Sequence, residues 1–247
     1  MKAFFLGLIL FILISLGLIP LGMYYSHDVA VLKTSYPHII KKGEAEPDFE
    51  IKSGIPRNWV KTRDISKVGK WAIIISEDWG FYQHQGVDLN QVKIALNEMW
   101  EEQKFRGAST ITQQMVKNVF LSSDRTLWRK LHEVILTKKA ESELTKEKIL
   151  EIYLNCIEFG PGIYGIREAS YHYFQKHPRE LTAKEGAFLA MLLPSPKRYY
   201  VSFRKKELTP FARERINTIL MKLRMAKILT MEELEQEKET PLSWETR

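Results

Sequence analysis

The chain has 247 residues, of which 45% are hydrophobic, so it is long enough to form a domain with a sizeable core. Its single cysteine, Cys156, excludes an intramolecular disulfide and a cysteine-rich metal site. The net charge of +7 favours an anionic partner, such as a phosphorylated substrate or an acidic membrane surface. Because no nucleic-acid-binding signature accompanies this charge, we expect no nucleic-acid partner.

The N-terminal stretch, residues 3–26, is apolar and contains no charged side chain. About 20 apolar residues suffice to span a bilayer, and Tyr24 and Tyr25 suit the membrane interface. A cleavable signal peptide would have a shorter apolar core and a small-residue cleavage site. We therefore predict an uncleaved, single-pass transmembrane helix over residues 1–25. Lysines precede and follow it, so the charge pattern does not decide its orientation.

The remainder of the chain has the pattern of a mainly α domain without a fixed-period repeat or a series of alternating strands. Helix starts are marked by three capping boxes and by a threonine–proline pair, at Thr110 with Gln113, Thr182 with Glu185, Thr230 with Glu233, and Thr209 with Pro210. Pro194 and Pro196 end the helix of residues 183–193. We predict a juxtamembrane linker over residues 26–50, a domain over residues 51–225 and a C-terminal helical tail over residues 226–247.

The stretch SEDWGFYQHQG, residues 76–86, places Glu77 and Asp78 directly behind the apolar run WAIII. A helix through this stretch would put Glu77 on the apolar face, where burial raises the pKa of a carboxyl group. Such a group can work as an acid or a base near neutral pH. Gly80 weakens this helix, so the helix could also end near Glu77 and present it at a loop. A solvated Glu–Asp pair at a helix end is the third interpretation.

The stretch RGASTITQQMVKNVFL, residues 106–121, predicts a capped amphipathic helix. Its apolar stripe and its polar side are distinct: Ile111, Met115 and Val119 form the stripe, and Gln113, Gln114 and Lys117 lie opposite. Hydroxyls, amides and a lysine at a helix start are well suited to anionic oxygens. An ordinary surface helix without a ligand fits the same pattern.

The stretch DRTLWRKLHEVILTKKAE, residues 124–141, predicts another helix. We expect its buried side to consist of apolar residues, namely Leu127, Leu131, Val134 and Ile135. Arg129 and Glu133 are an i, i+4 pair, which on a surface is worth only a few tenths of a kcal/mol. With Arg125 and Lys117 nearby, the same carboxylate set among cations could clamp a diphosphate.

Five motifs together carry a resemblance to a known family. In chain order, EDWGFYQHQGVD, GASTITQQMVKN, RKLHE, KILEIYLN and FGPGIYGIREASYHYF resemble the five motifs of the family 51 glycosyltransferases, the peptidoglycan glycosyltransferases. The similarity covers about residues 50–225. No serine-nucleophile motif series of a transpeptidase follows, so the chain resembles the monofunctional biosynthetic peptidoglycan transglycosylases. This resemblance implies a lysozyme-like α-helical fold with two lobes around a cleft. It also implies an anchor in the cytoplasmic membrane, with the catalytic domain at its outer, periplasmic face.

The resemblance also implies roles for individual residues. Glu77 corresponds to the general base that takes a proton from the 4-hydroxyl of lipid II, and Glu133 to a second catalytic carboxylate. Residues that match positions binding the substrate or its diphosphate are Ser109, Gln113, Gln114, Lys117, Arg125 and Arg129. Residues that support the motifs are Asp78, Phe81, His84, Gly86, Gly107, Lys130 and Asn155. The product strand grows with inversion at the anomeric carbon, and undecaprenyl diphosphate leaves.

The implied partners are lipid II, the growing glycan strand and the cytoplasmic membrane, with other cell-wall synthesis proteins as candidates. No organic cofactor is implied, whereas a divalent cation, Mg²⁺ or Mn²⁺, is compatible with the diphosphate site. Moenomycin, a phosphoglycolipid, inhibits this family at the donor site. Two alternatives stay open, a lytic muramidase with a lysozyme-like fold and a non-catalytic, membrane-anchored cell-wall scaffold. A muramidase has no use for a cationic diphosphate site, and a scaffold has no use for both carboxylates.

Overall fold

The computed structural model describes residues 22–24, 26–40, 47–102, 109–121, 124 and 126–245. The predicted transmembrane helix therefore lies almost entirely outside the described residues, as do Gly107 and Arg125. Among the helices of the described part, none combines the length and the apolar character that crossing a bilayer requires. The anchor stays a prediction from the sequence.

Helices dominate the described residues, as the sequence predicts. The α-helices are α1 (Lys67–Glu77), α2 (Leu89–Glu102), α3 (Ile111–Phe120), α4 (Leu127–Glu143), α5 (Lys146–Cys156), α6 (Ile166–Phe174), α7 (Ala183–Leu192), α8 (Pro196–Tyr199), α9 (Val201–Lys205), α10 (Pro210–Met225) and α11 (Met231–Glu239). Short 3₁₀ helices occur at Val29–Lys33, Thr62–Asp64 and Pro178–Glu180.

Two short antiparallel hairpins accompany the helices. Strand β1 (Tyr36–Ile40) pairs with β2 (Asp48–Lys52), and β3 (Glu158–Gly160) pairs with β4 (Ile163–Tyr164). The first hairpin and the 3₁₀ helix before it fall largely within the predicted linker of residues 26–50. Val29 in that 3₁₀ helix is fully buried, so part of this segment packs into the core.

The capping signals read from the sequence are found in the structure. Thr110, Thr182 and Thr230 each form a capping box with the residue three positions later, and Thr209 caps α10 with proline at its first turn. Each box satisfies two backbone N–H donors that a bare helix start would leave without partners. These helices therefore begin where local side-chain chemistry places them.

The packing of two helix groups positions the site. α1 packs against α7 and α10, and α3 packs against α4 and α5. The contact between α1 and α7 is a close backbone approach, since a Cβ on Gly186 would lie 2.5 Å from the Cα of Gly69. Only glycine permits this approach, so both helices are held at a fixed separation.

The predicted buried face of α4 is wrong in part. Leu127 is 90% exposed and Leu131 is 40% exposed, while Val134 and Ile135 are only partly buried. The side that packs inward contains Glu133, Leu136, Thr137, Lys139 and Ala140. Glu133 takes an inward position on this helix while Arg129 and Lys130 stay partly exposed beside it, so the leucines of the first turns face outward.

Candidate active site

The first α-helix delivers Glu77 to the site. Ser66 caps α1 by accepting a hydrogen bond from the backbone N–H of Gly69, and four apolar residues along the helix are buried. The helix ends at Glu77, and Asp78 is its C-cap residue. Of the two placements that the sequence left open, the structure therefore has the helix end, with Gly80 beyond it. The side chain of Glu77 projects from a turn that core packing fixes.

The pKa of the Glu77 carboxyl group is raised. Burial is the main cause, because it excludes the water that would stabilise the charged form. The amide of Gln114 lowers the pKa by donating from Nε2 to Oε2 of Glu77 over 2.9 Å, and the positive charge of Arg215 acts in the same direction. The neighbouring charge of Asp78 raises it further. Glu77 is thus a stronger base than an exposed glutamate, with one hydrogen bond to orient it.

Asp78 connects the end of α1 to the start of α3. Its Oδ2 accepts from the backbone N–H of Ile111 over 3.0 Å, and its Oδ1 lies 2.8 Å from Nε2 of His84. The backbone N–H of Gly86 donates to Nδ1 of His84 over 3.1 Å. Because Nδ1 accepts, Nε2 carries the hydrogen and donates to Asp78. Both side chains are therefore engaged in holding the loop after Glu77.

Two adjacent glutamines at the start of α3 make different contacts. Gln113 is buried and its Oε1 accepts from the backbone N–H of Thr110 over 3.0 Å, as part of the capping box. The hydroxyl of Thr110 in turn donates to the carbonyl oxygen of Gly86. Gln114 is directed to Glu77 instead. The structure thus brings Gln114 to the carboxylate and uses Gln113 to fix the helix start.

Glu133 is the centre of a cationic cluster. Its side chain is almost completely buried, and its Oε2 lies 2.6 Å from Nη1 of Arg129. Its Oε1 pairs with Nζ of Lys130, which also lies 3.3 Å from Oγ of Ser109. Because the carboxylate of Glu133 is buried while Arg129 and Lys130 are partly exposed, the two pairs fix both cations beside it. The predicted pair of Arg129 and Glu133 is confirmed, and Lys130 joins it.

The segment from Ser109 to Lys117 contacts the surroundings of both carboxylates. Ser109 contacts the cluster around Glu133, and Gln114 contacts Glu77. Five residues, mostly helical, span on the order of 10 Å. Lys117 follows Gln114 by nearly one helical turn and is exposed. A cleft over this segment would offer a base at one end and positive charge at the other.

Three further predicted residues hold the surrounding backbone. Phe81 is fully buried. Gly86 has φ of +89°, and a Cβ there would lie 2.6 Å from Cγ2 of Thr137. Asn155 accepts from the backbone N–H of Val60 and donates to its carbonyl oxygen, each over 2.8 Å. These contacts fix the backbone around the site, and the supporting roles that the resemblance implies stay predictions.

One group of side chains in the described residues has the spacing of a metal site. Ligand atoms of Asp78, His84 and Asp88 lie within 4.8 Å of one another. The atoms of Asp78 and His84 already serve the hydrogen bonds to Ile111 and Gly86. The group is therefore explained as part of the loop that follows Glu77.

Two residues near Glu77 were missed by the sequence analysis. Tyr153 on α5 donates from its hydroxyl to Oε1 of Gln114 over 3.3 Å. Arg215 on α10 contributes its positive charge to the surroundings of Glu77. Tyr153 lies within the fourth motif, KILEIYLN, so its position was available as a signal. Arg215 lies in no motif, and only the packing of α10 on α1 brings it to the site.

The family model described as Transglycosylase matches residues 47–224. The chain belongs to the transglycosylase family. It is 38% identical over 185 residues to the biosynthetic peptidoglycan transglycosylase of Brucella suis biovar 1 (strain 1330), covering 75% of this chain and 80% of the relative. It is 36% identical over 227 residues to the protein of that name from Bordetella avium (strain 197N), covering 90% and 91%. Penicillin-binding protein 1F of Bacillus subtilis (strain 168) is 43% identical over 144 residues, covering 58% of this chain and 20% of that protein.

Membership of the transglycosylase family decides between the interpretations that the sequence left open. It supports glycosyl transfer, and it gives no support to the muramidase or to the non-catalytic scaffold. The mainly helical architecture fits the same family. The chain is therefore an enzyme, a peptidoglycan glycosyltransferase.

Proposed function

We propose that this peptidoglycan glycosyltransferase polymerises lipid II with Glu77 as its general base. Glu77 takes the proton of the 4-hydroxyl on the acceptor sugar as that oxygen attacks the anomeric carbon of the growing glycan strand. The bond from that carbon to the diphosphate oxygen breaks, and undecaprenyl diphosphate leaves with inversion. The observation that carries this proposal is the partly buried carboxyl group of Glu77, oriented by Gln114 and with a raised pKa. A sugar hydroxyl is a poor nucleophile, so a carboxylate of raised pKa accelerates its attack.

We assign the departing diphosphate to the cationic cluster. Glu133 holds Arg129 and Lys130 in fixed positions, and Ser109 adds a hydroxyl to the same place. Stabilisation of the charge that develops on a leaving group is usually a large catalytic term. Lys117, exposed on α3, completes the described part of this site.

Arg125, outside the described residues, is included in the diphosphate site on the resemblance alone. The divalent cation, Mg²⁺ or Mn²⁺, also stays a prediction. Both oxygens of Glu133 accept from cations, so a metal at this carboxylate would have to share those oxygens with Arg129 and Lys130. No step of the proposed mechanism requires a metal.

We further propose a two-lobed, lysozyme-like domain anchored in the cytoplasmic membrane by residues 1–25, with the cleft at the periplasmic face. The support is the attachment of the anchor's last residues, and of the segment after them, to the domain. Nζ of Lys139 on α4 donates to the carbonyl oxygens of Tyr24 and His27 over 2.9 and 2.8 Å. His132 on the same helix lies 3.1 Å from the carbonyl oxygen of Met23. The helix that carries Glu133 is thereby tied to the chain that leaves the membrane.

The proposed function is tested with purified full-length protein in detergent and lipid II as the sole substrate. We expect a polymer that lysozyme digests, release of undecaprenyl diphosphate, and inhibition of both by moenomycin. Intact peptidoglycan offered instead of lipid II should not be cleaved. Cleavage of that peptidoglycan, with no polymer from lipid II, would contradict the proposal. Other cell-wall synthesis proteins remain candidate partners, which co-purification from membranes would identify.

A further inference from the structure

A chain of hydrogen bonds extends from the partly buried Glu77 to Tyr153 in the core. Tyr153 on α5 is fully buried, and its hydroxyl lies 3.3 Å from Oε1 of Gln114. The Nε2 of the same amide lies 2.9 Å from Oε2 of Glu77. The three side chains come from α5, α3 and α1, so three helices meet at one amide group.

The chemistry of the three groups fixes the direction of each hydrogen bond. An amide nitrogen only donates and an amide oxygen only accepts, whereas a phenol hydroxyl does either. If the amide of Gln114 were reversed, its oxygen would face the carboxylate of Glu77, and two acceptors would oppose each other. With Glu77 ionised, Nε2 therefore donates to Glu77 and the hydroxyl of Tyr153 donates to Oε1.

We propose that Tyr153 is a positioning residue for the general base. It holds the amide of Gln114 in the orientation that stabilises the ionised form of Glu77. Donation to Oε1 also polarises the amide, and hydrogen bonds in such a chain strengthen one another. Tyr153 reaches Glu77 only through Gln114. This inference rests on the proposed role of Glu77 as the base.

Among the described residues, two charged groups shift the pKa of Glu77. Arg215 approaches from α10, and Asp78 follows Glu77 in the chain. On α7, which packs against α1, Lys184 donates to the carbonyl oxygens of Lys238 and Thr240 and is engaged there. Burial holds the pKa of Tyr153 well above its ordinary value. Tyr153 thus stays protonated over the assay range, and a change in the pH profile reports on Glu77.

The test is the pH profile of kcat/KM for lipid II polymerisation by the full chain in detergent. Activity requires ionised Glu77, so it rises with pH through the pKa of that group. Replacing Gln114 with leucine removes a hydrogen bond to a charged group, which should move the rising limb upward by about one to two pH units. For Tyr153→Phe we expect the rising limb to move upward by about half a pH unit. At a pH on the acid side of this limb, kcat/KM should then fall roughly threefold. KM should not change, because Tyr153 does not touch the substrate.

Two controls separate positioning from a general effect on the fold. Tyr173→Phe removes another buried tyrosine hydroxyl, one that donates to the carbonyl oxygen of Phe159 over 2.8 Å. It should lower the melting temperature without moving the profile. In a Gln114→Leu background, Tyr153→Phe should add no further shift. If Tyr153→Phe fails to fold, 3-fluorotyrosine at position 153 replaces it; this stronger donor should move the limb to lower pH.

The outcomes distinguish this inference from the proposed function. An unmoved profile in the Tyr153 variant, or an equal shift in Tyr173→Phe, would overturn the positioning role. Glu77→Gln is measured in parallel. If Glu77→Gln is inactive while the Tyr153 profile is unmoved, only the positioning role fails. If the Glu77→Gln variant polymerises lipid II at the wild-type rate, the assignment of Glu77 as the base fails, and the positioning role of Tyr153 fails with it.

Discussion

Replacement of Asp78 with asparagine should destabilise the domain by about 2 to 4 kcal/mol. Asp78 accepts from the backbone N–H of Ile111 and from Nε2 of His84. Asparagine has one acceptor oxygen, so one of these two donors meets an NH₂ group and loses its partner, at a cost of about 1 to 3 kcal/mol. Loss of the negative charge at the start of α3 adds about 0.5 to 1 kcal/mol.

Thermal unfolding of the full chain in detergent, followed by tryptophan fluorescence, measures this effect. For a domain of this size, 1 kcal/mol corresponds to roughly 2 to 4 °C, so Asp78→Asn should melt about 5 to 15 °C below wild type. Asp64→Asn is the matched control. Asp64 pairs with Arg179 over 3.2 Å at the surface, where such pairs are worth about 1 kcal/mol or less. An equal loss of melting temperature in the two variants would refute the role of Asp78 as the connection between α1 and α3.

Three further predictions concern the diphosphate site, the backbone and the anchor. Lys117→Ala should lower lipid II turnover by about ten- to a hundredfold and weaken moenomycin binding, and Lys117→Arg should restore both only in part. Unchanged moenomycin affinity in Lys117→Ala would leave the proposed diphosphate site without support. Gly86→Ala should lower the melting temperature more than Gly162→Ala does. Both glycines have positive φ, but of the two only Gly86 has a neighbour with which a Cβ would collide. Equal melting temperatures of the two variants would contradict this prediction. Deletion of residues 1–21 should leave the melting temperature unchanged in detergent and lower activity on lipid II in vesicles, whereas deletion of residues 1–25 should also lower the melting temperature. Equal vesicle activity with and without the N-terminal residues would argue against the anchor.

Local signals in the sequence predict helix starts and the contents of the motifs well. The capping box of Thr110 and Gln113 depends on residues three positions apart, so its chemistry can be read without knowledge of the fold. The i, i+4 pair of Arg129 and Glu133 is local in the same sense and is confirmed. The roles of Glu77 and the other site residues came from the resemblance and stay predictions.

Features that depend on tertiary packing were not predictable in this way. Leu127 and Leu131 follow an apolar periodicity, yet they are exposed, and Glu133 takes an inward position on the same helix. The contact of Tyr153 with Gln114 joins residues 39 positions apart, and no spacing rule connects them. The approach of Arg215 to Glu77 likewise requires the packing of α10 on α1.

The central claim is tested most directly by lipid II turnover in Glu77→Gln. Glutamine keeps the size of the side chain and can still contact Gln114, but it cannot take the proton of the acceptor hydroxyl. A positioned general base typically contributes about 10²- to 10⁴-fold, so polymerisation should fall by that factor while the melting temperature stays close to that of wild type. Turnover within a few-fold of wild type in this folded variant would contradict the assignment of Glu77 as the base.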